Sequence, residues 1–166
     1  FQIWLNLPAA RKMVDPHFTM IWDNTVPRVV FKDSAGAETK VTIIAGRLDQ
    51  TTPPSPPPNS WASTDTADVA IWTLDLAPHA TWTLPPAQPG TDRALYFFRG
   101  TGLTVAGRPV PDYHQVTLHG DVPATLQAGD AAAEVLLLQG RPIGEPVAKH
   151  GPFVMNTQDE VRQAYV

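Results

Sequence analysis

Short apolar runs alternate with polar positions along most of the chain, and Gly, Pro or Asp separates one run from the next. Within residues 70–76, Trp72, Leu74 and Leu76 fall on one face of an extended backbone, with Thr73 and Asp75 on the other. That is the two-residue period of a half-buried strand. The same pattern predicts strands over residues 2–7, 18–22, 39–45, 69–76, 81–84, 93–98, 103–106, 115–119, 122–127 and 132–138. Gly100-Thr101-Gly102, Gly107-Arg108-Pro109, Gly120-Asp121 and Gly129-Asp130 supply turn residues between them, where a positive or fixed φ is needed. Many short strands with regular turns predict an all-β sandwich or barrel. Ala94-Leu95-Tyr96-Phe97-Phe98 is apolar on both faces, so that strand calls for cover on both sides or for an interface.

Two segments depart from this pattern. Residues 51–59 hold five prolines, which excludes a central strand and favours polyproline II. They fall in a stretch from 46 to 68 read as a structureless surface connector, unusually long for a compact domain. At the other end, Thr157-Gln158-Asp159-Glu160 has the form of a helix capping box, and its two acids suit a helix N-terminus. Val161, Ala164 and Tyr165 then make an apolar stripe, which predicts a short helix docked on this sandwich or on a neighbouring half.

Composition narrows the function classes. A chain of 166 residues makes one ordinary domain with room for an arm. The formal charge of −4 carries no electrostatic footprint for nucleic acid. Basic runs that would favour an anionic membrane are missing from the sequence, and apolar runs such as 135–138 are too short to cross one. With no cysteine there is neither a disulfide nor a thiolate zinc site, which fits a reducing, cytoplasmic setting. Phe1-Gln2-Ile3-Trp4-Leu5-Asn6-Leu7-Pro8 lacks the basic start and small-residue cleavage site of a signal peptide. It reads as a strand in progress, and the chain is expected to be a piece of a longer protein.

The candidates for chemistry are few. Ser34, Ser55, Ser60 and Ser63 fall in turns or loops, outside any G-x-S-x-G elbow. Neither phosphate-cradling glycine motif occurs. Asp121, Asp130 and Glu134 read as solvated turn acids. Of Trp4, Trp22, Trp61, Trp72 and Trp82, those on alternating strands are expected in the core rather than on a stacking platform. His114 and His119 are five apart, so on one uninterrupted strand they face opposite sides. His17 and His79 read as solvated, and His150 as a loop hydrogen-bonding residue beside Gly151-Pro152.

The closing run GEPVAKHGPFVMNTQDEVRQAYV, from Gly144 to Val166, is similar to the end of the pirin family almost residue by residue. Trp4-Leu5-Asn6-Leu7-Pro8 with Lys12-Met13 resembles that family's exit from its first cupin domain. Leu74-Asp75-Leu76-Ala77-Pro78 before Leu84-Pro85 resembles its entry into the second.

The resemblance implies a cupin-type double-stranded β-sandwich, or jelly roll, with a short C-terminal helix. It divides the chain into strands leaving the first cupin (1–45), the proline-rich loop (46–68), the C-terminal cupin (69–143), and the closing motif with its helix (144–166). It also implies an N-terminal cupin upstream that holds iron or a similar divalent metal through three histidines and a glutamate. Some members open quercetin with dioxygen, and an animal member is a nuclear transcriptional cofactor. Aligning the cupin motif's closing glycine on Gly100 puts Arg93 at the glutamate position and Ala87-Gln88-Pro89 near the two histidines. The second motif's histidine becomes Ala132.

This chain is therefore expected to carry no catalytic, cofactor-binding or metal-ligating residue. Its expected role is to brace a metal-dependent, quercetinase-like half, with that half of the same parent protein as its partner. The alternative is a module binding a protein partner in regulation. A third reading leaves a small apolar ligand in the vestigial cupin cavity.

Overall fold

The computed structural model describes residues 1–165. Its strands, in chain order, are β1 (Arg28–Lys32), β2 (Glu38–Ala45), β3 (Ala70–Leu76), β4 (Thr81–Leu84), β5 (Asp92–Arg99) and β6 (Leu103–Val105). They continue as β7 (Arg108–Val110), β8 (Gln115–Leu118), β9 (Ala124–Gln127), β10 (Ala133–Gly140), β11 (Ala148–His150) and β12 (Phe153–Met155), ahead of the helix α1 (Gln158–Ala164). One antiparallel sheet runs β1-β2-β3-β10-β5-β8, and a second runs β4-β9-β6-β7. Together they make the all-β sandwich, while β11 and β12 form a separate hairpin.

Alternation decides which side chains fill the space between the sheets. Val41 and Ile43 of β2, Trp72, Leu74 and Leu76 of β3, Leu95 and Phe97 of β5, and Val135 and Leu137 of β10 point inward from the larger sheet. Trp82, Leu84, Leu103, Val105 and Leu126 meet them from the smaller one. Trp72 and Trp82 thus belong to the core, and the indole N–H of Trp72 donates to the Ala45 carbonyl at 3.1 Å. This continuous apolar layer is the main driving force for closing the sandwich.

Most of the predicted strands form, within a residue or two of their expected ends. Residues 2–7 and 18–22 do not: both are extended but pair with no strand among the described residues. Apolar alternation prepares a segment for a sheet, whereas a strand also needs a neighbour for its N–H and C=O groups. Conversely β1, β7, β11 and β12 form without having been predicted, each a short strand held by its hairpin partner. Residues 46–68 also carry more structure than expected. They contain 3-10 turns at Trp61–Ser63 and Asp65–Ala67, with Leu48 and Ala67 buried. Trp61 fastens the connector by donating its indole N–H to the Arg141 carbonyl at 2.9 Å.

The predicted capping box is complete. Thr157 Oγ1 accepts from the Glu160 N–H at 3.2 Å, and Glu160 Oε2 accepts from the Thr157 N–H at 2.8 Å. The helix buries Val161 and packs on the β11–β12 hairpin of its own chain, where Tyr165 meets Phe153 edge-on at 4.9 Å between ring centres. No described helix is long and apolar enough to cross a membrane.

Asp33 ties the two sheets at the β1–β2 turn. Its Oδ1 accepts from the N–H groups of Ala35 and Ala37, both at 2.9 Å, and its Oδ2 accepts from the Thr81 N–H of β4 at 3.0 Å. These donors, Thr81 first, hold its carboxyl below the ordinary aspartate value of 3.8. A lowered native pKa adds stability that is present above the unfolded-state value and is lost as pH falls through the native one. Asp33→Asn is therefore expected to melt below the wild type at neutral pH, with the gap closing on acidification below the ordinary aspartate range. A gap that stays constant well below that range, measured by thermal denaturation in a pH series, would refute the assignment.

Candidate functional site

Among the described residues, Arg93 is the one charged residue that the structure buries, at 3% exposure. It is the second residue of β5 and shares the inward parity of Leu95 and Phe97. Across the sheet it pairs with Gln139 of β10 and Leu118 of β8. Its Nε and Nη2 donate to Gln139 Oε1 at 2.9 and 2.6 Å, and its Nη1 donates to the Pro85 carbonyl at 2.7 Å. Pro85 follows β4, so the guanidinium joins one sheet to the exit of the other.

The network extends into the connector. Gln139 Nε2 donates to the Asp68 carbonyl at 3.1 Å. The Asp68 carboxylate accepts from the Gln88 N–H at 2.8 Å and from Thr91 Oγ1 at 2.7 Å. Burial pulls the Arg93 pKa below its ordinary value, and the charge of Asp68 opposes that pull. The cation persists because an arginine stays protonated in proteins.

The cupin alignment puts Arg93 and Ala132 at ligand positions. Gly100, at φ 107°, packs so closely on Ala132 that a Cβ there would collide with the Ala132 carbonyl oxygen. Those segments meet at the Gly100 end of β5, whereas Arg93, opposite Gln139, lies at its other end, so Arg93 and Ala132 do not converge on one point. Their side chains do not suit a divalent cation: Arg93 is a filled guanidinium and Ala132 offers a methyl group. Among the described residues, no cluster of three or more His, Asp or Glu could share an ion.

The other candidates disperse. His17 Nε2 lies 2.8 Å from Thr19 Oγ1, and His79 lies 3.8 Å from the exposed Asp130. Glu134 pairs with Arg99 at 2.7 Å, and Ser60 and Ser63 cap the turn at Trp61–Ser63. The His150 carbonyl accepts from the Tyr165 hydroxyl at 3.3 Å. His114 and His119 are both exposed at the rim of one cleft, which Gln115 to Leu118 also line. β8 ends at Leu118, so both histidines lie just outside the strand and parity does not bind them.

The closing motif acts as a clasp. Glu145 Oε2 accepts from the Ala9 N–H at 2.6 Å and from Asn156 Nδ2 at 3.0 Å, which joins residues 136 positions apart. Lys12 donates to Asn6 and lies in the field of Glu145 and Glu160; desolvation outweighs those acids and lowers its pKa. Arg11 adds a hydrogen bond to Thr64 Oγ1 at 3.2 Å. Upstream of the clasp, Phe1 packs edge-on against Phe98 at 4.8 Å. A groove of about 820 Å³ separates Ile3, Trp4 and Leu5 from Ile71, Ala94 and Leu138 on the outer face of the larger sheet. This gives the doubly apolar strand β5 its second contact. Sequence reasoning missed the clasp because no local pattern links Ala9 to Glu145.

The family model of the pirin C-terminal cupin domain matches residues 71–166. The chain belongs to the pirin family. It is 34% identical to a Pseudomonas aeruginosa protein provisionally named quercetin 2,3-dioxygenase, with 99% of this chain and 55% of that protein covered. It is equally similar to a pirin-like protein of Caulobacter vibrioides, at 34% identity over 99% of this chain and 55% of that one. The crystal structure of quercetin 2,3-dioxygenase from Acinetobacter baumannii superposes with a TM-score of 0.80 at 22% identity, covering 98% of this chain and 52% of that one. That likeness establishes a shared fold. The pirin chain described here spans about half the length of the curated relatives it matches.

Two substitutions separate the brace from the clasp. Arg93→Ala strands the half-buried Gln139 and Pro85 acceptors and is expected to cost about 3 kcal/mol in urea unfolding; a loss below about 1 kcal/mol would refute the brace. Glu145→Ala is expected to speed proteolysis and hydrogen exchange in residues 1–12 while leaving the β3–β10 core protected. Unchanged protection of that segment would show that the clasp does not hold it.

Proposed function

We propose that this chain is the C-terminal half of a pirin-type two-cupin protein and that it braces and orients an N-terminal, metal-carrying cupin. The observation that carries this reading is the apolar side chains left in solvent along the arm and beside the sheet: Phe1, Trp4, Met13, Phe18, Met20 and Trp22 are all exposed. So many large apolar side chains left exposed favour an interaction site over isolated surface residues. The clasped arm lies over the outer face of the larger sheet, so arm and face would offer one surface to the neighbouring half. The relatives' greater length and the names of several of them support that partner.

In this reading the metal chemistry belongs to the partner half. This half supplies a rigid wall and an apolar cover that would restrict water near the partner's ion. The substrate class follows the relatives, a flavonol opened by dioxygen, and iron or a similar divalent metal would be the cofactor.

Phe18, Met20 and Trp22 favour a second reading, because they are 81%, 53% and 64% exposed along one extended segment. If they stay exposed in the two-cupin parent, they offer a separate protein partner an apolar strip for regulation. Hydrogen exchange across residues 18–22 of the parent distinguishes the two cases.

The decisive experiment compares the two-cupin parent with the 166-residue chain in metal content and quercetin-dependent oxygen uptake. The parent is expected to hold a chelator-sensitive metal and turn over, and the isolated chain to do neither. A metal-free, inactive parent sinks the enzymatic part. A stoichiometric, chelator-sensitive metal on the isolated chain sinks the division of labour.

A further inference from the structure

The two sheets of the sandwich do not close on each other at one side. β7 is the free edge of the smaller sheet and β8 the free edge of the larger one. Between them lies a cleft of about 600 Å³, within the size range of small-molecule sites. Its apolar surface comes from Val105, Val110 and Ala124 on the smaller sheet and Val116 and Leu118 on the larger one, with Val122 at the rim.

The ionisable side chains that line it are Arg108, His114 and His119, and no acid is among them. This is a local excess of basic groups in a chain of formal charge −4. Among the described residues the Arg108 side chain makes no ion pair, unlike Arg28, Arg99 and Arg162. Its donors are free for an incoming group. The adjoining loop is held in an uncommon conformation: Tyr113 has φ 60° and is 83% exposed, while the next residue's carbonyl accepts from the Phe97 N–H at 3.0 Å. A bulky residue at positive φ is a backbone outlier, and such outliers cluster at ligand sites.

We propose that this cleft binds a small apolar carboxylate, with the hydrocarbon body between the sheet edges and the carboxylate on Arg108 at the mouth. Apolar walls select the body, and the planar fork of a guanidinium suits a carboxylate better than a neutral oxygen. The cleft adjoins the groove beneath the arm, with which it shares Gln115 and Thr117 of β8, but its basic groups are distinct from the buried Arg93. It stands or falls independently of the bracing role.

Benzoate and its neutral analogue benzyl alcohol are suitable probes, titrated into the 166-residue chain and followed by heteronuclear NMR. Benzoate is expected to give saturable amide shifts confined to Arg108–Val110, Gln115–Leu118 and residues 119–124. Benzyl alcohol should bind about tenfold more weakly. Arg108→Ala should reduce benzoate to that level without affecting the alcohol, and Val122→Trp at the rim should weaken both. Scattered or non-saturating shifts, equal affinity for the two probes, or an Arg108→Ala variant that binds benzoate normally would overturn the proposal. Retained amide dispersion confirms that each variant is folded.

Discussion

A permanent positive charge inside a β-sandwich constrains everything around it. An unpaired buried cation would be strongly destabilising, so the surroundings of Arg93 must supply acceptors from several directions at once. Gln139 comes from the adjacent strand, the Pro85 carbonyl from the far sheet, and Asp68 sets the field from the connector. Satisfying one guanidinium therefore fixes the relative placement of β4, β5, β10 and the end of residues 46–68. The apolar layer supplies most of the energy of closure, but it is tolerant of sliding. The directional hydrogen bonds of Arg93 are not.

The clasp at Glu145 extends this order to the part of the chain that has no sheet of its own. Residues 1–12 cannot be held by a strand ladder, since none of them pairs with a strand among the described residues. A carboxylate shared by the Ala9 amide and the Asn156 side chain, with Arg11 bound to Thr64, anchors them from outside. The capping box contributes at a distance: Glu160 caps the helix and also accepts from the Asn156 N–H at 3.0 Å, which helps set the residue that bonds Glu145. The motif by which the chain resembles its family is thus structural in its contacts.

What could be read in the residues, and what could not, divides along the same line. The core strands were legible because Trp72, Leu74 and Leu76 obey a two-residue period that burial enforces. The helix was legible because its cap is local. Residues 2–7 and 18–22 carry strand-like alternation without a ladder, because pairing depends on a neighbour that composition does not reveal. Parity could not place His114 and His119, because it holds only within a strand and β8 is four residues long. Arg93 was legible as an odd residue at a ligand position. Its partners Gln139, Pro85 and Asp68, up to 46 residues away, were not.

A buried arginine has a consequence for how this half holds its shape. A structural metal stabilises a domain only when it is bound, so the fold then depends on supply and chelation. A guanidinium carries its charge under all ordinary conditions. A sandwich braced by Arg93 keeps its shape, its clasped arm and its outer sheet face whether or not any metal is at hand. Under the proposed division of labour, a neighbouring half that loads or exchanges an ion would do so against a wall that does not soften. In the proposed two-cupin arrangement, stability in this half and reactivity in the other would be separable because Arg93 keeps its charge permanently.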